Sequence, residues 1–249
     1  MTIRKTILIT GASSGLGAGM AREFAKLGRD LALCARRTDR LETLRDELVK
    51  AHGIRVAIRA IDVTDYDQVF DGFRAFYSEL GSIDRIIVNA GLGKGQPLGT
   101  GFFYANRKTA ETNFVAALAQ CEAALEIFRK QNAGHLVTIS SMSAMRGMPR
   151  NLTTYAATKA GLAVLTEGIR ADLLKTPIKV STIYPGYIRS EINAKVKKTP
   201  FMVDTETGCR ALVKAIEKEK AEAYVPPWPW GPIGLLMRNL PLKMVARMG

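Results

Sequence analysis

Short, β-rich apolar runs alternate with helix-length amphipathic segments along almost the whole chain, and this alternation restricts the fold more than any single motif. The runs are Thr6 to Thr10, Asp30 to Ala35, Arg55 to Ile61, Ile83 to Asn89, Leu136 to Ser140, Val180 to Tyr184 and Ala223 to Val225. Most are continuous apolar stretches, which suits strands buried on both faces. Between them, apolar residues recur at helical spacing over Gly15 to Leu27, Thr38 to His52, Tyr66 to Leu80, Lys108 to Gln131, Thr154 to Leu174 and Thr205 to Lys220. Leu41, Leu44 and Leu48 share one helix face, and Gly28, Gly53 and Gly134 stand as helix stops. Parallel strands require a crossover that packs back over the sheet. The pattern therefore predicts an α/β, Rossmann-like, doubly wound parallel sheet of about seven strands with helices on both faces.

No internal repeat or linker interrupts residues 1–225, which read as one domain; residues 226–249 form a Pro/Trp-rich apolar extension. The net charge of +13 is spread along the chain, without a Lys/Arg block or interleaved aromatics, so no nucleic-acid groove is expected. Cys34, Cys121 and Cys209 lack metal-ligand spacing and read as buried thiols of a reducing compartment. His52 and His135 are the only histidines, so a His-based metal site or a Ser-His-Asp triad has almost no material, and no metal is expected. Ile7-Leu8-Ile9 is too short for a signal-peptide core and no apolar run reaches membrane-spanning length, which points to a cytoplasmic protein.

The first strand runs into Thr10-Gly11-Ala12-Ser13-Ser14-Gly15-Leu16-Gly17 and then a helix. Glycines there permit a tight turn and close approach of a pyrophosphate, and the helix N-terminus favours the anion. The spacing is neither Gly-x-G-x-x-Gly nor a P-loop ending in Gly-Lys-Ser/Thr. At the end of the second strand, where an acid would pair with the ribose hydroxyls of NAD, the chain has Arg36-Arg37. Two guanidinium groups suit a 2′-phosphate instead, so NADP(H) is expected, with NAD(H) the alternative. Asp62-Val63 at the third strand end could meet the adenine or simply form a turn with an N-cap. Tyr155 and Lys159, four residues apart, share one face of their helix, and an ammonium near a phenol lowers a pKa that starts at about 10.

Thr10-Gly11-x-x-x-Gly15-x-Gly17, Asn89-Ala90-Gly91, Asn113, Ser140-Ser141, Tyr155-x-x-x-Lys159 and Pro185-Gly186 follow one another along residues 5 to 225. In that order they resemble the short-chain dehydrogenase/reductase family. The resemblance implies a nicotinamide cofactor and a catalytic tetrad of Asn113, Ser141, Tyr155 and Lys159. Tyr155 would be the proton donor or acceptor, Lys159 would tune it and hold the nicotinamide ribose, and Ser141 would support the substrate oxygen. Asn113 would hold a water linking Lys159 to solvent. Ser13, Ser14 and Leu16 belong to the phosphate turn, and Asn89-Ala90-Gly91 would pack beside the adenosine. Pro185, Gly186, Ile188 and Ser190 would hold the carboxamide. The family places its serine at the position of Met142, between Ser141 and Ser143. Ser141, following Ser140 at the strand end, is assigned, with Ser143 as fallback.

Substrate loops are expected at Leu92 to Phe103, Met142 to Leu152 and Tyr187 to Met202, where Met142, Met145, Met148, Phe102, Phe103, Tyr187 and Phe201 could line an apolar pocket. Pro226 to Pro232 carries Trp228 and Trp230, and the apolar Ile233 to Met248 carries Arg238, Lys243 and Arg247. That tail suits peripheral membrane contact through 228–248 with tryptophans at headgroup level, a subunit contact, or a lid. The expected function is NADP(H)-dependent interconversion of a carbonyl and a secondary alcohol on a hydrophobic (lipid-, steroid- or ketoacyl-like) substrate, in a homodimer or homotetramer. The alternatives are an NAD(H)-dependent dehydrogenase and a non-catalytic NADP-sensing protein.

Overall fold

A computed structural model describes residues 3–93, 95–191 and 200–247. Lys94, residues 192–199 of the expected Tyr187 to Met202 loop, and Met248 of the tail lie outside the described residues. The elements are β1 (Thr6–Thr10), α1 (Gly15–Lys26), β2 (Asp30–Ala35), α2 (Thr38–His52), β3 (Val56–Ala60), α3 (Tyr66–Leu80), β4 (Arg85–Val88) and α4 (Phe103–Ala110). A single π-helical turn, Glu111–Val115, joins α4 to α5 (Ala116–Gln131). Then come β5 (Gly134–Ile139), α6 (Thr153–Asp172), β6 (Ile178–Pro185), α7 (Thr205–Glu217), β7 (Glu222–Val225), α8 (Pro227–Asn239) and α9 (Leu242–Val245). Two short 3-10 turns, Met142–Met145 and Arg150–Leu152, lie between β5 and α6.

The strands form one seven-stranded sheet in the order β3-β2-β1-β4-β5-β6-β7, every pair parallel. The order reverses between β1 and β4. At such a switch point the connections leave in opposite directions and a crevice opens beyond the strand ends. One apolar layer packs residues of α1, α2 and α7 on one sheet face, with Met20, Phe24, Leu41 and Leu212 in it. A second packs α3, α5 and α6 on the other, around Phe73, Phe76, Phe128 and Leu162. A third, smaller cluster lies outside this sandwich and joins Met142, Met148, Ala156 and Tyr184 to Trp230, Met237 and Val245 of the tail.

The fourth strand is shorter at both ends than its apolar run suggests, and the expected Lys108 to Gln131 helix begins earlier, at Phe103. It is also closed by Asn132 in the left-handed conformation (φ 49°), not by Gly134. Asn is among the few residues that tolerate this conformation. Gly134 starts β5, where a Cβ would come within 2.1 Å of the Phe128 ring.

Candidate active site

The turn after β1 is shaped by close contacts. Gly11 and Gly15 have φ of +66° and +54°, a region L side chains rarely adopt. A Cβ on Gly17 would lie 2.4 Å from the Gly11 carbonyl oxygen, and one on Gly11 would lie 2.9 Å from the Ala90 Cα. The Thr10 hydroxyl accepts from the main-chain N–H groups of Asn89 (3.0 Å) and Ala90 (3.1 Å), and Asn89 Nδ2 donates to the Thr10 carbonyl at 2.8 Å. These bonds pin Asn89-Ala90-Gly91 against the turn. Helix α1 begins at Gly15 without a side-chain cap and without an acid in its first turn. Its first N–H groups and dipole thus face the crevice, an arrangement that attracts phosphate.

Beside the turn, Arg37 Nη2 donates to Ser14 Oγ at 2.8 Å and to Ser13 Oγ at 3.3 Å. Arg37 also pairs with Glu191 (3.3 Å), and Arg40 Nη1 donates to the same carboxylate at 2.7 Å. The Arg40 bond first, with Ser14 and Arg37 adding to it, holds the Glu191 carboxyl below its ordinary range against the opposing effect of burial. Two guanidinium groups and two hydroxyls therefore meet around one anionic group, the donor set a 2′-phosphate needs. Arg36 turns the other way, toward Asp62 at 3.9 Å. Asp62 makes a local turn instead, accepting from Thr64 N–H and Oγ1 at 3.0 and 2.8 Å, while Asp65 caps α3. Val63 is buried.

A cleft of about 580 Å³ opens beside these arginines and is lined by Ser13, Ser14, Gly15, Arg40, Ser190 and Glu191 among others. Ser190 therefore lies at the N-terminus of α1. Pro185 is buried at the end of β6. Leu16 packs into the first apolar layer. The Ile188 side chain also lies in that layer, against Gly208.

Tyr155 and Lys159 lie in the first two turns of α6. The Lys159 ammonium is 6.0 Å from the Tyr155 ring centroid and donates to the Ile139 carbonyl at 2.8 Å. Ser140 Oγ donates to the Lys159 carbonyl at 2.8 Å, which fixes this serine as a structural anchor of α6 on β5. Ser141, the next residue, lies close enough to the Tyr155 phenol to lower its pKa. Its Oγ also accepts from the Ser143 N–H at 3.1 Å, so Ser143 supports Ser141. Asn113, in the π-helical turn, accepts from Leu92 N–H (2.7 Å) and donates to the Leu92 carbonyl (2.8 Å) and to Thr158 Oγ1 (3.3 Å). Its amide hydrogens are thus committed to protein atoms, and its side chain clamps the loop after β4 to α6. Gly91 lies between: a Cβ there would be 3.2 Å from Asn113 Oδ1 and 3.5 Å from Lys159 Nζ.

The electrostatics correct one expectation. Burial raises the Tyr155 pKa above its ordinary value, Ser141 opposes it and Tyr187 adds to it. Lys159 is itself buried, which pulls its pKa down to about 8. In the protein alone desolvation outweighs the ammonium, so the phenol is held protonated at neutral pH.

A model of the short chain dehydrogenase family matches residues 5–200. The chain belongs to that family. Members bind a nicotinamide cofactor and act as oxidoreductases. An uncharacterized oxidoreductase of Mycobacterium tuberculosis is 53% identical over 98% of this chain and 97% of its own. The NADP-dependent 3-hydroxy acid dehydrogenase of Schizosaccharomyces pombe is 31% identical over 76% of this chain and 73% of its own. Among solved structures, a short-chain type dehydrogenase/reductase from Mycobacterium marinum aligns with TM-score 0.81 and 27% identity over 88% of this chain and 92% of that one. An alcohol dehydrogenase of Thermococcus sibiricus has the same fold, with TM-score 0.79 at 24% identity over 88% and 94% of the two chains.

In this short-chain dehydrogenase the C-terminal extension packs over the end of β6 at Gly186. Trp230 is 5% exposed, and a Cβ on Gly186 would come within 2.1 Å of its indole. Tyr187 and Phe201 meet the indole edge-on, with centroids 5.6 and 6.2 Å away. Met145 and Tyr187 pack against the same cluster, which also holds Met142 and Met148. Phe102 and Phe103, expected in an apolar pocket, are instead exposed at the start of α4. Trp230 likewise departs from its expected headgroup position, because its indole is buried in the Gly186 notch. Sequence reasoning missed Arg40 and Glu191. Arg40 had a signal, since it lies three residues after Arg37 at the start of α2, where i, i+3 side chains are neighbours. Glu191 had none.

Proposed function

We propose that the chain is an NADP(H)-dependent oxidoreductase that interconverts a carbonyl and a secondary alcohol, with Tyr155 as general acid and base. The observation that carries this reading is the meeting of Tyr155, Ser141 and Lys159 at the strand ends, next to the phosphate turn. The bound nicotinamide would supply or accept the hydride. Gly11 to Gly17 would hold its phosphates, and Arg37, Arg40, Ser13 and Ser14 the 2′-phosphate; the Schizosaccharomyces pombe relative, named NADP-dependent, supports that choice. The protonated Tyr155 phenol donates to the substrate oxygen in reduction and takes the proton back in oxidation. Ser141 donates a hydrogen bond where negative charge develops. Lys159, with a pKa of about 8, is charged at neutral pH and stabilises the tyrosinate left after transfer.

The Met142, Met145, Tyr187 and Trp230 surroundings favour an apolar substrate. Exposed Val115, Leu118 and Val164, on the π-helical turn, α5 and α6, support a homodimer through these helices. The test is a panel of apolar ketones and secondary alcohols followed by NADPH absorbance, repeated with NADH. Replacing Arg37 and Arg40 by Gln is expected to raise the KM for NADPH by about tenfold or more and leave that for NADH unchanged. An equal loss with both cofactors would overturn the 2′-phosphate assignment, and no turnover of any substrate would overturn the activity.

A further inference from the structure

The C-terminal extension has two faces, and only one is accounted for by the fold. Trp230, Ile233, Gly234 and Met237 follow the i, i+3, i+4, i+7 spacing of a helix stripe. They all pack inward, on Gly186, Met142 and Tyr224, and Val245 of α9 joins them. The outward face of a helix seated on a soluble core is ordinarily polar. Here it carries Leu235 and Leu236, continued by Leu242 and Met244, each more than half exposed, and Trp228 at 76%. Arg238, Lys243 and Arg247 stand among them, all exposed. After Glu222 the sequence contains no Asp or Glu.

We propose that this face docks on the surface of an anionic lipid bilayer. Apolar side chains and a tryptophan beside cations, with no acid on the segment, form the combination that enters the headgroup region. The leucines gain apolar contact while the cations stay with lipid phosphates. An anionic bilayer is negative wherever the segment meets it, which matches three cations with no acid among them. The described residues contain no helix long and apolar enough to cross a membrane, so the contact is peripheral. Trp230, on the opposite side of the same helix, covers Gly186, whose neighbour Tyr187 acts on the Tyr155 phenol. Docking therefore turns the substrate side of the cleft toward the lipid, which rests on the apolar-substrate reading above; the docking itself does not.

The test is cosedimentation of the full-length protein with phosphatidylcholine vesicles, with and without phosphatidylglycerol, at low and high salt. Binding is expected only with phosphatidylglycerol and is expected to weaken with salt. Leu235→Glu with Leu236→Glu, and separately Arg238→Gln with Lys243→Gln and Arg247→Gln, should each lower vesicle binding by about tenfold or more. NADPH-induced thermal stabilisation, unchanged in both variants, confirms that they fold and that cofactor binding is a separate matter. Failure of the unaltered protein to sediment with anionic vesicles overturns the proposal. So does full binding by the Leu235→Glu/Leu236→Glu variant. A self-association measured by light scattering that this variant abolishes, without vesicle affinity, would assign the face to a second copy instead.

Discussion

At the phosphate end of the crevice, position is set by atoms that are missing, whereas at the substrate end it is set by atoms that are large. Gly11, Gly17 and Gly91 allow backbone and amide groups to approach within distances that any Cβ would prevent. Opposite them, Met142, Met148, Tyr184 and Trp230 fill space, and Gly186 is the single notch that admits the indole. The first design fixes one geometry for one kind of ligand. The second includes methionines, whose flexible side chains adjust to the shape presented.

Replacing Tyr155 by Phe should have the largest effect. Turnover is expected to fall about thousandfold while NADPH affinity, measured by fluorescence titration, stays within about threefold. A parallel loss of cofactor binding would show that the two ends are not separable. Next comes Gly17→Ala, whose Cβ meets the Gly11 carbonyl oxygen at 2.4 Å. It should destabilise the protein by about 3 kcal/mol in urea unfolding and weaken NADPH, while Met148→Leu at the substrate end costs under about 1.5 kcal/mol. Similar losses for the two would erase the contrast.

Lys159 lies where the ends meet, and its burial makes stability depend on pH. Its pKa is about 8 in the folded chain against an ordinary 10.5. Above pH 8 the folded protein sheds a proton that the unfolded chain keeps, so unfolding free energy rises with pH, and the penalty for burying the charge is fully present below that point. The rise should amount to about 2 kcal/mol between pH 8 and 10. Beyond 10 the raised Tyr155 pKa acts in the opposite sense, because the folded phenol keeps a proton that the unfolded one releases. Lys159→Met should flatten the rise, and an unchanged slope in that variant would assign it elsewhere. The smallest effect is a coupling. Gly186→Ala should destabilise the parent protein but cost little once Trp230 is Ala, giving an interaction of about 1 kcal/mol in a double-mutant cycle. Additive losses would mean that the indole is not what Gly186 accommodates.

The same contrast explains what could be read from the sequence. The parallel sheet and the glycine turn were legible because most strands are continuous apolar runs and each close approach demands Gly, a residue type visible in one dimension. Ser141 could be proposed from its place after Ser140, even with Met142 at the family's usual position. The direction of the Tyr155 shift was not, because spacing shows Lys159 nearby but not that both groups are buried. Nor was Arg36 separable from Arg37: neighbouring residues at a strand end point opposite ways, and only the fold tells which faces Ser14. Trp230 looked like Trp228 in the sequence; one is buried and the other 76% exposed because Gly186 supplies a notch for one indole only.

The π-helical turn at Glu111–Val115 changes the phase of a long helix. An ordinary turn advances each residue by about 100°, and a π turn contains about one residue more, so the segments before and after it are rotated relative to one another. The sequence is thereby freed from having to serve one direction throughout. The α5 stripe of Ala117, Cys121, Ala124 and Phe128 faces the sheet. In α4, the Asn106 side chain grips both the N–H and the carbonyl of Gln96, at 2.9 and 3.0 Å. Removing one residue from the turn would thus act as a rotation and not as a shortening. The sheet-facing stripe would stay seated while Asn106 swung away from Gln96, and the loop over the crevice would lose its hold without any change in the loop itself.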